Sequence, residues 1–197
     1  MIVKSRKPSL QLLTLQAMKR RVRKNHEMYD AILNELGKRE AGLYGENSLD
    51  YFINLLPETS PSYHVLHDLR LPYKNTYFQI DTLIIFPSCL LIIEIKNNRG
   101  TVYFDPRNNQ VIQEVEDLPP KSLPDPILQV TNQAYKLKKW IEKRHCSSLS
   151  IDNLVVLTNP NVIVKVTSSP GLVEKHVVKS PALLGKVRAI LNKYDVN

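Results

Sequence analysis

Two strongly β-prone segments separated by a short break most constrain how this chain folds. They occupy the stretch from Tyr77 to Asn97, YFQIDTLIIFPSCLLIIEIKN, and the break is Phe86-Pro87-Ser88-Cys89. Both alternating faces are apolar, because Ile80, Ile84 and Phe86 fall on one face and Leu83 and Ile85 on the other. Strands that are apolar on both faces are buried on both sides. The pattern therefore predicts a hairpin inside a layered α/β arrangement.

The same hairpin carries two carboxylates and a lysine. If it turns symmetrically between Pro87 and Ser88, Asp81 lies opposite Glu94, and Lys96 lies on the same face as Glu94. Two facing carboxylates repel and are costly to bury, so a sheet gains no stability from them. A divalent cation would remove this conflict. The alternative is a local ion pair at the solvated end of the hairpin.

Hard oxygen ligands suit Mg²⁺, which commonly takes one or two protein carboxylates alongside phosphate oxygens. Mn²⁺ is a possible substitute. Lys96 could then orient or help to activate a water at the metal and stabilise negative charge at a phosphorus under attack. The pattern favours phosphodiester chemistry.

A helix is predicted from about Lys38 to Leu56, where apolar residues recur every three or four positions and Pro57 stops it. Glu46 falls on its apolar stripe, where an unpaired carboxylate costs free energy. The alternative for Glu46 is a glutamate favoured near a helix start by the macrodipole. Gly42 and Gly45 would let this helix approach another backbone closely.

A half-buried strand is predicted from Tyr63 to Leu71, closed by Pro72. His64 and His67 then lie on opposite faces, so they cannot easily share one ligand. We expect both to be surface or strand-edge histidines.

The remaining elements are predicted from alternation, turns and caps. They are a hairpin of Thr101 to Phe104 with Gln110 to Val115, a Pro-rich connector from Leu118 to Pro126, a helix from Asp125-Pro126 to about His145, strands from Ile151 to Thr158 and from Val162 to Val166, and a last helix capped by Ser180-Pro181.

The first part of the chain is basic, and its run KRRVRK is a candidate for binding phosphates. Leu10, Leu13, Leu15 and Met18 are too loosely spaced to define a firm amphipathic helix, which predicts an arm or peripheral helix. A solvated helix face is the alternative to a nucleic-acid contact. The candidate binding residues are Lys19, Arg20, Arg21, Arg23 and Lys24.

Composition fits one globular domain with extensions, since 43% of the 197 residues are hydrophobic and 23% are charged. The net charge of +8 favours a polyanionic partner. No apolar run approaches the roughly 20 residues that span a bilayer, and the first residues lack the apolar region of a secretory signal. Cys89 and Cys146 lack metal-ligand spacing and are interpreted as free thiols in a reducing compartment. We therefore expect a cytoplasmic protein.

Four motifs, in this order, resemble the nuclease-related domain family, NERD, of the PD-(D/E)xK nuclease-like superfamily. They are Glu40-Ala41-Gly42-Leu43-Tyr44-Gly45-Glu46, then Ile80-Asp81, then Ile93-Glu94-Ile95-Lys96, and finally Asp125-Pro126 with Gln129 and Gln133. The resemblance covers roughly Lys38 to Thr158. One departure is Ile80, which stands where the superfamily's name has proline and removes no ligand.

The resemblance implies a restriction-endonuclease-like α/β core in the order αβββαβ, in which a mixed β-sheet is flanked by helices and Mg²⁺ binds at its open end. It also implies that Asp81, Glu94 and the Ile95 carbonyl hold the metal, that Lys96 is catalytic, and that Glu46 and Gln129 contribute from two helices.

The expected organisation is a basic arm or helix over residues 1–36, a nuclease-like domain over 37–166 and a helical extension over 167–197. The leading hypothesis is a Mg²⁺-dependent nuclease that hydrolyses DNA, with DNA favoured over RNA. The second hypothesis is a module that keeps the fold but only binds nucleic acid or recruits a partner, because proteins that share a fold often differ in activity. A structural protein with solvated charges is the third.

Overall fold

A computed structural model gives the architecture of residues 1–56, 62–144 and 149–194, which are the residues described here. The strands are β1 (Ile2–Lys4), β2 (His64–Tyr73), β3 (Thr76–Ile85), β4 (Cys89–Lys96), β5 (Thr101–Asp105), β6 (Gln110–Val115), β7 (Leu118–Leu123), β8 (Ser150–Leu157), β9 (Ile163–Val166) and β10 (Val177–Lys179). The helices are α1 (Leu10–Arg21), α2 (Tyr29–Asn54), α3 (Pro126–Glu142), α4 (Pro170–His176) and α5 (Leu183–Leu191), with a 3-10 turn over Ser180–Ala182 before α5.

The strands form two mixed sheets. The larger has the order β1-β2-β3-β4-β8-β10, in which β2, β3 and β4 are antiparallel while β1, β8 and β10 join in parallel. The smaller has the order β7-β6-β5-β9. Read along the chain, α2-β2-β3-β4-α3-β8 has the predicted αβββαβ order, with the hairpin β5-β6 and strand β7 inserted before α3. The prediction of a restriction-endonuclease-like α/β fold is confirmed.

The central hairpin is buried on both faces, as its composition predicts. One face packs on Leu49 and Ile53 of α2 and on Val187 of α5. The other packs on Val130 and Leu137 of α3, in a cluster that continues into the smaller sheet. Every residue of β4 except Lys96 is buried, which explains why this strand is a nearly continuous apolar run.

The register of the hairpin is the symmetric one. Thr82 pairs with Ile93 and Ile85 with Leu90, so equal distances from the turn between Pro87 and Ser88 set the pairing. One expectation is wrong: Ile80 packs in the cluster on the α3 side, whereas Ile84 and Phe86 pack on the α2 side. The β2–β3 ladder is interrupted between these positions, where Asp68 has a φ of 50° and lies opposite Asp81. The alternation of side chains along β3 shifts at this interruption, so that Ile80 packs on the opposite side of the sheet from Ile84.

The N-terminal elements differ from the prediction. Helix α2 begins at Tyr29, nine residues before Lys38, because Ile32 and Leu36 extend its apolar stripe and pack against α1. The N-terminal segment, predicted to be an arm or peripheral helix, contains the regular helix α1, which has Ser9 as its N-cap and buries Leu12 and Leu15. Helix α2 is predicted to end at Leu56, and it ends at Asn54; Pro57, predicted to stop it, lies outside the described residues.

The predicted Pro-rich connector is mostly strand β7, which pairs with β6. Strand β2 likewise continues through Pro72 to Tyr73. Proline cannot donate a backbone hydrogen bond, but an edge strand such as β7 tolerates it. Asp125 caps α3 by accepting from the N–H groups of Ile127 and Leu128, and Pro126 is its first residue, as predicted.

The C-terminal region contains elements that the sequence pattern did not predict, namely α4 and β10. Strand β9, predicted correctly, pairs in parallel with β5 of the smaller sheet. The last helix follows Ser180 and Pro181 and buries Val187 and Leu191. Cys89 is buried, whereas Cys146 and the predicted helix end at His145 lie outside the described residues. Among the helices described, none combines the length and the apolarity that crossing a membrane requires.

Candidate active site

The candidate site forms where β3 and β4 separate. Continuing the register would place the N–H of Ile95 opposite Ile80, but this N–H donates to Asp81 Oδ2 at 3.0 Å. The Asp81 side chain thus takes the place of a backbone acceptor, and the hydrogen-bond ladder between β3 and β4 ends at this point. Because the N–H and C=O of one residue in a strand point toward the same neighbour, the Ile95 carbonyl also faces this opening.

Two carboxylates face the opening, and their charges conflict. Burial, followed by the negative charge of Glu94, raises the pKa of Asp81 to about 7, while the N–H of Ile95 acts against both. Glu94 is 2% exposed. Asp81 is half-buried, and holding two negative charges this far from water requires compensating positive charge, part of which Lys96 supplies.

Glu94 is held by two hydrogen bonds from different directions. Lys96 Nζ donates to its Oε1 at 2.7 Å, and Gln133 Nε2 of α3 donates to its Oε2 at 2.8 Å. Lys96 Nζ also donates to Gln129 Oε1 at 3.1 Å. Helix α3 presents Gln129 and Gln133 together because residues four apart share one helix face. The predicted pair of Lys96 with Glu94 on one strand face is present.

Helix α2 brings Glu46 to the same place. The preceding residue, Gly45, packs so tightly that a Cβ there would lie 2.6 Å from Asn97 Cβ and 2.7 Å from Thr158 Oγ1. The expected close approach is present at Gly45, although to side chains rather than to another backbone, and is wrong for Gly42, whose Cβ would meet nothing within 4 Å. Burial raises the pKa of Glu46, and Arg6 opposes that shift.

Arg6 is a site residue that sequence reasoning missed. Its Nη1 lies 3.7 Å from Glu46 Oε2, its Nε donates to Asp50 Oδ1 at 3.2 Å, and its Nη2 donates to Thr82 Oγ1 at 2.8 Å. The guanidinium also reaches the Asp81 carbonyl at 3.5 Å. The side chain is only 5% exposed. No local pattern marks an arginine that is paired with residues so distant in sequence.

His67 is buried, so the expectation of a surface histidine is wrong for it, while His64 is exposed as expected. His67 Nδ1 lies 3.0 Å from Thr82 Oγ1, and its Nε2 lies 3.7 Å from Asp50 Oδ1. Burial, reinforced by Arg6, lowers the pKa of His67 to about 4.

Lys4 Nζ donates to the backbone carbonyls of His67 and Asp68, both at 2.6 Å, and so holds the N-terminal segment against β2 beside the site. Strand pairing, rather than ligand spacing, determines this histidine's environment.

The structure brings together Glu46, Asp81, Glu94, Lys96 and Gln129. It does not bring the basic run to them. Lys19, Arg20 and Arg21 form the last turn of α1, Arg23 and Lys24 follow it, and all five are exposed. In the described part of the chain, none of the five lines the grooves that border the site.

The donor set fits Mg²⁺. Two carboxylates and a backbone carbonyl are oxygen ligands. Burial and, after it, the charge of Glu94 raise the pKa of Asp81, and a bound cation would offset both effects. Gln133 Oε1 is buried and has no hydrogen-bond donor among the described residues. Those residues contain no group of three or more His, Cys, Asp or Glu side chains arranged for a metal, but Mg²⁺ usually needs fewer carboxylates.

Comparison with known proteins places this chain in a family. Among solved structures, a crystal structure of protein VC1899 from Vibrio cholerae has a TM-score of 0.38 and 10% sequence identity, and the alignment covers 93% of this chain and 50% of that one. This chain therefore spans half the length of that protein. No curated protein matches. The family model for the nuclease-related domain matches residues 41–158, a segment that contains Glu46, Asp81, Glu94, Lys96 and Gln129 but not Arg6. The chain belongs to the nuclease-related domain family, NERD, within the PD-(D/E)xK nuclease-like superfamily.

Proposed function

We propose that the protein is a Mg²⁺-dependent nuclease that hydrolyses phosphodiester bonds of DNA. The observation that carries the proposal is the pair of half-buried Asp81 and buried Glu94 at the point where β3 and β4 separate, with Lys96 beside it. Asp81, Glu94 and the Ile95 carbonyl would hold the metal. When bound, Mg²⁺ would supply positive charge to the phosphate and make an attacking water more acidic.

Lys96 would act on the phosphate directly. Its ammonium group has three N–H donors, of which Glu94 and Gln129 take two. The third donor is available to a phosphate oxygen or to the attacking water, and the side chain is 29% exposed. A fixed ammonium group beside the phosphorus stabilises the negative charge that develops there during attack. Gln129 positions Lys96, and Gln133 positions Glu94.

Glu46 would complete the site from α2. Burial raises the pKa of this carboxyl against the charge of Arg6, and the negative charges of Asp68, Asp50 and, least of all, Glu94 add to the rise. Its role would be to orient the water or a metal-bound shell at the open end of the sheet.

A cleavage assay tests this function. Supercoiled plasmid, linear duplex DNA, single-stranded DNA and an RNA strand of the same sequence are incubated with Mg²⁺, with Mn²⁺ or with EDTA. We expect cleavage of DNA that needs the metal and that falls about 100-fold or more in Glu94→Gln and in Lys96→Met. Lys175→Ala, an exposed lysine of α4, is the matched control and should retain wild-type activity. No cleavage with either metal, or equal cleavage in all variants, would overturn the proposal.

The second candidate is a module that binds nucleic acid without cleaving it. One observation favours it: Lys96 and Gln133 already satisfy both oxygens of Glu94 without a metal. This module would bind DNA with an affinity that falls steeply with salt, and it would show no turnover at any Mg²⁺ concentration. The same assay, run beside a binding measurement, separates the two.

A further inference from the structure

A groove opens beside the candidate active site, between α2 and the β6–β7 side of the smaller sheet. It encloses about 1060 Å³, and Ile95 and Lys96 form part of its wall. No acidic residue is among the described residues that line it. Its four cations are Lys38, Lys96, Arg99 and Lys121, and we call this groove the basic groove.

A second groove, of about 990 Å³, borders the other side of α2 but has a different charge balance. Five cations line it together with Glu35, Glu46 and Asp68. Acidic groups inside a groove repel a polyanion, so a lining without acidic residues makes the basic groove the better path for a phosphate backbone.

Two of the cations in the basic groove, Arg99 and Lys121, are exposed and form no ion pair with a described residue. The backbone that carries Arg99 is fixed, because Gln113 Nε2 donates to the Arg99 carbonyl at 2.7 Å. The next residue, Gly100, has a φ of 70°, and a Cβ there would lie 2.1 Å from the Glu114 carbonyl oxygen. Arg99 therefore projects from a rigid position at the edge of the groove.

The rest of the lining indicates how a ligand would be contacted. Side-chain amides supply polar groups, and Pro119 and Pro120 supply an apolar patch. The described lining contains no aromatic ring on which a base could stack. Contacts to phosphate and sugar would therefore dominate, and such contacts carry little sequence information.

We propose that the basic groove binds a nucleic-acid strand through its sugar–phosphate backbone and leads it to Lys96. The proposal rests on the proposed function only in naming that strand as the substrate. It assigns binding to Arg99 and Lys121 rather than to the run Lys19–Lys24, which lines neither groove in the described structure.

Fluorescence anisotropy with a labelled single-stranded DNA of about 20 nucleotides tests the proposal. The full chain is used in EDTA, so that binding is measured without metal or turnover. The groove variant is Arg99→Ala with Lys121→Ala. The charge-matched control is Arg188→Ala with Lys175→Ala, two exposed helix residues that line neither groove. A third protein, Arg20→Ala with Lys24→Ala, tests the basic run.

We expect the groove variant to raise the Kd about tenfold at roughly 0.1 M salt and to lower the slope of log K against log salt by about 1.4. The control should stay within about twofold of wild type, and all variants should keep the wild-type melting temperature. A groove variant that binds as tightly as the control, or a larger loss in the basic-run variant, would overturn the proposal. Either result leaves the cleavage assay unaffected, while absence of cleavage with intact groove binding would overturn the nuclease function alone.

Discussion

Arg6 connects the N-terminal segment to the candidate site through a largely buried side chain. It binds Asp50 and Thr82, and Thr82 in turn contacts the buried ring of His67. Thr82 follows Asp81 in β3, so this network supports the strand at the position where the ladder opens. A planar guanidinium suits this place because it can reach several acceptors at once.

Replacing Arg6 by alanine should destabilise the fold. The change leaves Asp50 and the Thr82 hydroxyl without their charged donor, so the free energy of unfolding should fall by about 2 kcal/mol. Arg6→Lys should recover less than half of that loss, because one ammonium group cannot span the same partners. Urea denaturation measures both variants. Arg188→Ala, at an exposed position, should change stability by less than about 0.5 kcal/mol, and an equally small effect of Arg6→Ala would contradict the role given to Arg6.

His67 should make stability depend on pH in a defined direction. Its pKa is about 4 in the folded protein and 6.5 ordinarily. Above 6.5 both states hold a neutral ring. As the pH falls toward 4, the unfolded state takes up the proton first, and the His67 contribution to stability declines by about 3 kcal/mol.

The variant His67→Gln isolates this effect, because it cannot titrate and leaves Arg6, Asp50, Asp68 and Lys4 in place. The stability of wild type relative to the variant should therefore decrease between about pH 7 and about pH 4. Urea titrations at several pH values measure this difference. A difference that does not change with pH would show that the ring is protonated equally in both states.

Gly45 is the point where helix α2 approaches the ends of β4 and β8 most tightly among its glycines. Gly45→Ala would place a methyl group against Asn97 and Thr158, at the ends of β4 and β8, and overpacking of this kind costs about 1–3 kcal/mol. Because Glu46 is the next residue, cleavage should also decline. Gly42→Ala is the matched control: it meets no atom within 4 Å and should stabilise the helix by about 0.5–1 kcal/mol. Thermal melts of both variants test this contrast. Melting temperatures that shift in the same direction in both variants would contradict it.

An element could be predicted when the residues that stabilise it lie within it, and could not when they lie elsewhere in the sequence. The register of β3 and β4 could be predicted, because both strands are strongly apolar and the turn is equidistant from the paired residues. Strand β7 could not, since its prolines suit a loop and only its edge position in the sheet accommodates them. The start of α2 was missed because Ile32 and Leu36 are stabilised by α1 rather than by local propensity.

Across the molecule, the candidate site draws on the N-terminal segment, α2, the central hairpin and α3. Residues within one hairpin or one helix, such as Glu94 with Lys96, could be related from spacing alone. Glu46 and Gln129 were assigned to the site through the family resemblance. Arg6, whose partners lie up to 76 positions away, left no local signal and lies outside the segment that the family model matches.

The measurement that tests the metal site most directly is the melting temperature during a Mg²⁺ titration at about pH 8, above the raised pKa of Asp81. Asp81→Asn removes one proposed ligand, and Asp30→Asn, at an exposed position in the first turn of α2, is the matched control. Mg²⁺ at about 100 times its Kd should stabilise wild type and the control by about 2.7 kcal/mol, and the melting temperature should rise by several degrees. The melting temperature of Asp81→Asn should stay constant. An equal rise in Asp81→Asn, or no rise in wild type, would contradict a metal site at Asp81 and Glu94.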